Sequence, residues 1–115
     1  MKIKSDFVTN SSSTAYLITN LSSETKTLVD FVMENPQLID KFIKVYDWYK
    51  NNPQYTFNNL VKSAKENNII FEGNETKYCT FGDKYGTLIG NVFDYILREG
   101  GHSKSFMWKY EDSLR

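Results

Sequence analysis

Three places in the chain carry side chains that could do chemistry. Phe81-Gly82-Asp83-Lys84-Tyr85-Gly86-Thr87 is a glycine-framed loop set between a strand pattern and a helix pattern. Backbone amides at a helix start can hold a phosphate, and Lys84 would add positive charge beside them. Gly82, Lys84, Gly86 and Thr87 are therefore the candidate phosphate-ligand contacts. The spacing departs from a P-loop, which needs glycine, four residues and then Gly-Lys-Ser/Thr; the competing reading is a plain connection with Thr87 or Asp83 as helix cap. His102, the single histidine, stands beside Ser103, but a Ser–His pair also needs an orienting group and oxyanion donors, which sequence neighbours rarely supply. Cys79 is the only cysteine, which excludes an intramolecular disulfide and, with one histidine, leaves too few ligands for a closed zinc site. No catalytic residue, metal site or cofactor is expected.

The elements that would position these groups centre on Gly86 to Tyr110. At 100° per residue, Leu88, Ile89, Val92, Phe93, Tyr95, Ile96 and Leu97 form one apolar flank of a helix, with Thr87, Gly90, Asn91, Asp94 and Arg98 on the remaining arc. Gly86 and Gly90 have the small-xxx-small spacing that permits close packing. Gly100 and Gly101 can take the positive φ that ends a helix. In the strand that follows, Phe106, Trp108 and Tyr110 share one face, with Ser105, Met107 and Lys109 on the other. Such an aromatic face is either a core wall or a stacking platform for single-stranded nucleic acid. A neutral chain with no Arg/Lys cluster favours the core.

Size and charge set further bounds. A chain of 115 residues fits a single globular domain, 1–115, large enough to bury a core without staples. Its 14 basic and 14 acidic residues cancel, so no global field draws it to nucleic acid, which is not expected as a partner. The opening residues lack an apolar signal-peptide core and no run suits a membrane helix; a cytoplasmic location without membrane association is expected. The sequons at Asn10, Asn20 and Asn74 are then chance products of composition.

Near the N-terminus, Phe7-Val8 runs into Thr9-Asn10-Ser11-Ser12-Ser13, followed by the apolar run Ala15-Tyr16-Leu17-Ile18. Hydroxyl and amide side chains of this kind bond their own backbone and form tight turns. A strap that docks a partner or accepts a modification is the other reading, using Asn10, Ser11, Ser12 and Ser13. The apolar run suits an interior strand covered on both sides. This opening, FVTNSSSTAYLI, resembles the start of many bacterial, archaeal and phage proteins that begin FVTNSSSSSF and continue into an apolar strand. Here Thr14 and Ala15 replace the last serines and Tyr16 takes the aromatic position. The resemblance covers about a dozen residues and implies no activity, only the context of accessory-genome or mobile-element products.

Between these ends, Ser22 or Ser23 can cap a first helix carrying Leu28, Val29, Phe31, Val32 and Met33, which must stop near Asn35 because Pro36 follows. A second helix bears Leu38, Ile39, Phe42, Ile43, Val45, Tyr46 and Tyr49 on one stripe. Trp48 falls among Gln37, Lys41 and Lys44 on the opposite side, as a candidate exposed anchor. Thr56 can cap a third helix, with Tyr55 and Leu60 at hydrophobic-staple positions. Ile69-Ile70-Phe71 and Tyr78-Cys79-Thr80-Phe81 flank Glu72-Gly73-Asn74-Glu75, a hairpin signal.

The order β-α-α-α-β-β-α-β predicts an α+β fold, a mainly antiparallel sheet of about four strands with helices packed over it. The function expected is a small, non-catalytic binding or regulatory protein acting on a protein partner. Trp48 would be its anchor, with Tyr46 and Tyr49 at the rim, since interface hot spots favour Trp and Tyr. A concrete form is a phage or mobile-element factor that inhibits a host or defence enzyme; the alternative is a nucleotide- or phosphate-ligand-binding domain using Gly82–Thr87.

Overall fold

Ala15 to Ile18, the most continuously apolar run near the start, becomes the strand on which the sheet is built. The computed structural model describes residues 13–45, 53–82 and 87–113. Their elements are, in order, β1 (Ser13–Asn20), β2 (Lys26–Thr27), α1 (Leu28–Glu34), α2 (Gln37–Val45), α3 (Phe57–Glu66), β3 (Ile70–Phe71), β4 (Thr76–Gly82), α4 (Leu88–Ile96), β5 (Gly101–His102) and β6 (Phe106–Ser113). The main sheet has the order β4-β1-β6-β5, and β2 and β3 form a separate two-stranded ladder. Every pairing is antiparallel. The fold is the expected α+β arrangement.

Alternation along the strands separates the two faces of the sheet. Tyr16 and Ile18 of β1, Cys79 and Phe81 of β4, and Phe106 and Trp108 of β6 join the buried core with residues of all four helices. Phe31 of α1 is the hub, with edge-on ring contacts to Phe93, Phe106 and Trp108 at 5.5, 5.2 and 5.1 Å. Edge-to-face pairs at such distances add to the burial of the rings themselves. The aromatic wall expected from β6 thus faces the helices, although Tyr110 at its far end is exposed. Between Ala15 and Tyr16 the β1–β6 register slips from Asp112 to Tyr110, so Glu111 is the extra residue of a bulge.

Several local expectations are corrected. The cap of α1 is Thr27, not Ser22 or Ser23. Thr27 Oγ1 accepts from Asp30 N, and the Asp30 carboxylate accepts from Thr27 N at 2.8 Å, a full capping box. Pairing of Lys26–Thr27 with Ile70–Phe71 keeps the chain extended until that point. The Glu72–Glu75 turn closes with Glu75 N donating to Glu72 O at 3.0 Å, yet β3 and β4 do not form a hairpin. Within this turn, positive φ is confined to Asn74, at 63°, the third turn residue; turns of that handedness splay their flanking strands instead of matching their twist. β3 goes to β2, and β4 goes to β1.

In α4, Thr87 is the cap, its hydroxyl accepting from Gly90 N at 3.0 Å. Thr56 likewise caps α3, and Tyr55 and Leu60 are both buried. Gly90 meets β4 so closely that a Cβ would lie 2.7 Å from the Gly82 carbonyl oxygen, the close approach its spacing suggests. Of Gly100 and Gly101, only Gly100 has positive φ, at 73°. Gly101 is there for a different reason: a Cβ would sit 2.7 Å from the Trp108 ring. Asp94, assigned to the polar arc of the helix, is completely buried, whereas Leu88 and Tyr95 are only partly so. α4 lies on β4 and β1 with α2 and α3 beside it, leaving its polar arc no open side at Asp94.

Candidate functional site

Of the predicted site residues, Ser13, Gly82 and Thr87 fall within the described structure. Asn10, Ser11, Ser12, Tyr46, Trp48, Tyr49, Lys84 and Gly86 lie outside the described residues. Ser13 and Gly82 are brought together as register partners of β1 and β4. Ser13 is fully buried, and its hydroxyl has no hydrogen-bond partner among the described residues. Thr87, at the start of α4, is brought near Gly82, since a Cβ on Gly90 would lie 2.7 Å from both the Gly82 carbonyl oxygen and Thr87 Oγ1; it stands between a crevice of about 280 Å³ bordered by Asn67, Phe81 and Ile89 and another of about 310 Å³ bordered by Lys62 and Glu66. Two of the amides a phosphate would use there already have acceptors. Gly90 N donates to Thr87, and Ile89 N donates to Ser63 Oγ of α3 at 3.1 Å. A phosphate would have to displace both side chains.

His102 and Ser103 do not combine. Ser103 Oγ donates to a Glu34 carboxylate oxygen at 2.5 Å and accepts from Asn35 Nδ2 at 3.2 Å, while His102 stands exposed on β5. Ser105 N donates to the same Glu34 oxygen at 2.5 Å. Burial works against the Glu34 charge, but the Ser103 and Ser105 donors, helped by Lys26, hold its carboxyl below the usual glutamate range. This clamp fastens the β5–β6 turn to the end of α1. Because the folded pKa is depressed, its contribution is complete above about pH 4.3, the ordinary glutamate value, and is lost as pH falls through the lower folded value. Glu34→Gln should therefore cost about 1 kcal/mol at neutral pH, and urea titrations should show that deficit shrinking in acid.

A polar cluster in the core was invisible in the sequence. Asp94 Oδ1 accepts from Thr14 Oγ1 at 2.6 Å, and Arg98 Nη2 donates to Thr14 Oγ1 at 2.9 Å and lies 3.4 Å from the same carboxylate. The Asp94 carbonyl accepts from Arg98 Nε and from the Tyr16 hydroxyl, both at 2.8 Å. Burial raises the Tyr16 phenol far above its ordinary value, with Arg98 opposing, so it stays a donor. The group has the residue types of a catalytic site, but Thr14, Tyr16 and Asp94 are sealed from solvent and only Arg98 reaches it. It joins β1 to α4. Cys79 is equally inert: burial pushes its thiol up to about 12, leaving no thiolate at neutral pH.

The opposite face of the sheet differs in kind. Leu17 and Thr19 of β1, Tyr78 and Thr76 of β4, and Met107 and Lys109 of β6 point away from the helices by register. Leu17 has no part in the helix-side core, and Tyr78 and Met107 are 54% and 46% exposed. A shallow groove of about 460 Å³ runs across this face between Leu17, Met107, His102 and Lys109, with Trp108 at its margin. Thr19 and Thr76 pair their hydroxyls at 2.7 Å along its edge. The sequence contained the signal for this surface, the polar alternates of β6, but read it only as the reverse of the aromatic wall.

Among the described residues, no group of three or more His, Cys, Asp or Glu side chains could hold a metal ion, and no helix is long and apolar enough to cross a membrane. Comparison with protein-family models, with curated proteins and with solved structures finds no match to this chain.

Proposed function

We propose that the protein is a small, non-catalytic binding module that engages a protein partner through the uncovered face of its sheet. The observation carrying this reading is the juxtaposition of Leu17, Tyr78 and Met107 on a face that the helices leave open. Apolar side chains collected on one exposed face mark interaction surfaces more often than isolated ones do. The polar groups with catalytic chemistry are instead consumed in structural contacts: Ser103 by Glu34, and Asp94 by Thr14 and Arg98. Trp48, flanked by Tyr46 and Tyr49, is a second anchor offered by the sequence. The concrete form we propose is an occluding factor that covers a host or defence enzyme, a form supported by the resemblance of the opening to mobile-element products.

The test is affinity capture from a lysate of the source cells, comparing the parent protein with Met107→Asp, Tyr78→Asp and Trp48→Ala. Met107→Asp and Tyr78→Asp should stay folded within about 0.5 kcal/mol, because exposed substitutions rarely cost more, and should lose a partner that Lys65→Ala on exposed α3 retains. Retention of the same partner by both sheet-face variants would remove the reading.

A further inference from the structure

We infer that the segment docking on the uncovered sheet face is an acidic, apolar stretch of polypeptide; this rests on the reading of that face as a protein-binding surface. The groove has an apolar floor, Leu17 and Met107 with the margin of Trp108, and its charged lining group is Lys109, with His102 as a polar neighbour. Among the described residues, no carboxylate lines it. Two neighbouring acids on this side are placed elsewhere: Glu75 turns its side chain back to accept from Glu72 N at 2.8 Å, and Asp112 lies opposite Ala15, beyond the Leu17–Lys109 row. The protein as a whole is neutral, so this local excess is a property of the groove. A partner presenting leucine-like side chains to the floor and carboxylates to the rim satisfies both parts. Nucleic acid fits less well, because a single lysine lining the groove neutralises few phosphates.

The experiment uses the full chain and fluorescein-labelled synthetic peptides that alternate leucine with glutamate, with glutamine or with lysine, together with an oligothymidylate. Anisotropy gives affinity, and amide chemical shifts give the location. The glutamate peptide should bind best, shift Leu17, Met107 and Lys109, and weaken as salt is raised. Lys109→Glu should reduce its affinity on the order of tenfold, the scale of replacing a partly exposed attraction by a repulsion, and should gain binding of the lysine peptide. Met107→Asp should abolish both. Equal binding of all three peptides at the groove would overturn the acidic partner while leaving a protein-binding face in place. Absence of any peptide binding there, or tighter binding of the oligothymidylate, would overturn the inference. Capture of a partner that is lost in Met107→Asp but kept in Lys109→Glu would do so too, without touching the proposed function.

Discussion

Replacing Asn20 with aspartate is expected to remove about 4 kcal/mol of stability at neutral pH, a large share of what a domain of this size holds. Asn20 closes β1 and is fully buried. Its Nδ2 donates to the carbonyl oxygens of Glu24, Phe71 and Glu72 at 2.7, 3.1 and 3.1 Å. Its Oδ1 accepts from Ser22 N and Ser22 Oγ at 2.9 and 2.7 Å. One side chain thus ties β1 to the Ser22–Glu24 turn and to the end of β3. Aspartate forfeits the three donated bonds, at about 1 kcal/mol each, and sets a carboxylate among carbonyl oxygens. Such a carboxyl has a raised folded pKa, so the penalty grows as pH rises above the unfolded aspartate value of about 3.9 and is relieved below it. Urea unfolding should show Asn20→Asp recovering stability relative to the parent in acid, whereas Asn20→Ala loses about 2–3 kcal/mol at every pH. Equal deficits for the two variants across pH would contradict this account. The folded protein also cannot carry a glycan at Asn20, since both polar atoms of the amide are already engaged.

Asp94→Ala is expected to cost about 2–4 kcal/mol, the lower part of the range for breaking a buried ion pair because the Arg98 side chain is 37% exposed and can turn to water. Thr14 cannot: it is sealed in the core and loses its 2.6 Å acceptor. Asp94→Asn should recover part of the loss, since an amide oxygen still accepts from Thr14. Thr14→Val in the Asp94→Ala background should cost less than in the parent, because the hydroxyl has already been orphaned and the two groups share one interaction. Guanidinium unfolding of the four proteins closes this cycle; strict additivity would mean that Thr14 and Asp94 act independently.

These two networks also mark where reading the chain in one dimension stops. The helices and strands came from local signals: Pro36 ending α1, Thr56 and Thr87 capping, and the alternation Phe106, Trp108, Tyr110 building a core wall. Each involves residues a few positions apart. Asn20 and Asp94 carry no such signal. Asn20 looks like a surface sequon residue, and Asp94 falls on the polar arc of an amphipathic helix, where an acid is unremarkable. What buries them is the arrival of segments far away in sequence: Phe71 and Glu72 at Asn20, and Thr14 at Asp94.

The candidate surface follows the same division. Alternation assigned Met107 and Lys109 to the reverse of the aromatic wall, but not what would cover that side. Only the assembled sheet, with its helices gathered on one face, leaves Tyr78 and Met107 exposed beside half-buried Leu17. From the residues alone one could establish the fold class, most of the helix boundaries and a largely apolar flank for α4. These depend on period and on local hydrogen-bond chemistry, which are written into neighbouring residues. The partition of β3 and β4 into different sheets, the sealing of Asn20 and Asp94, and the open face were decided by tertiary packing, because pairings between distant strands depend on which surfaces the whole chain can bury at once.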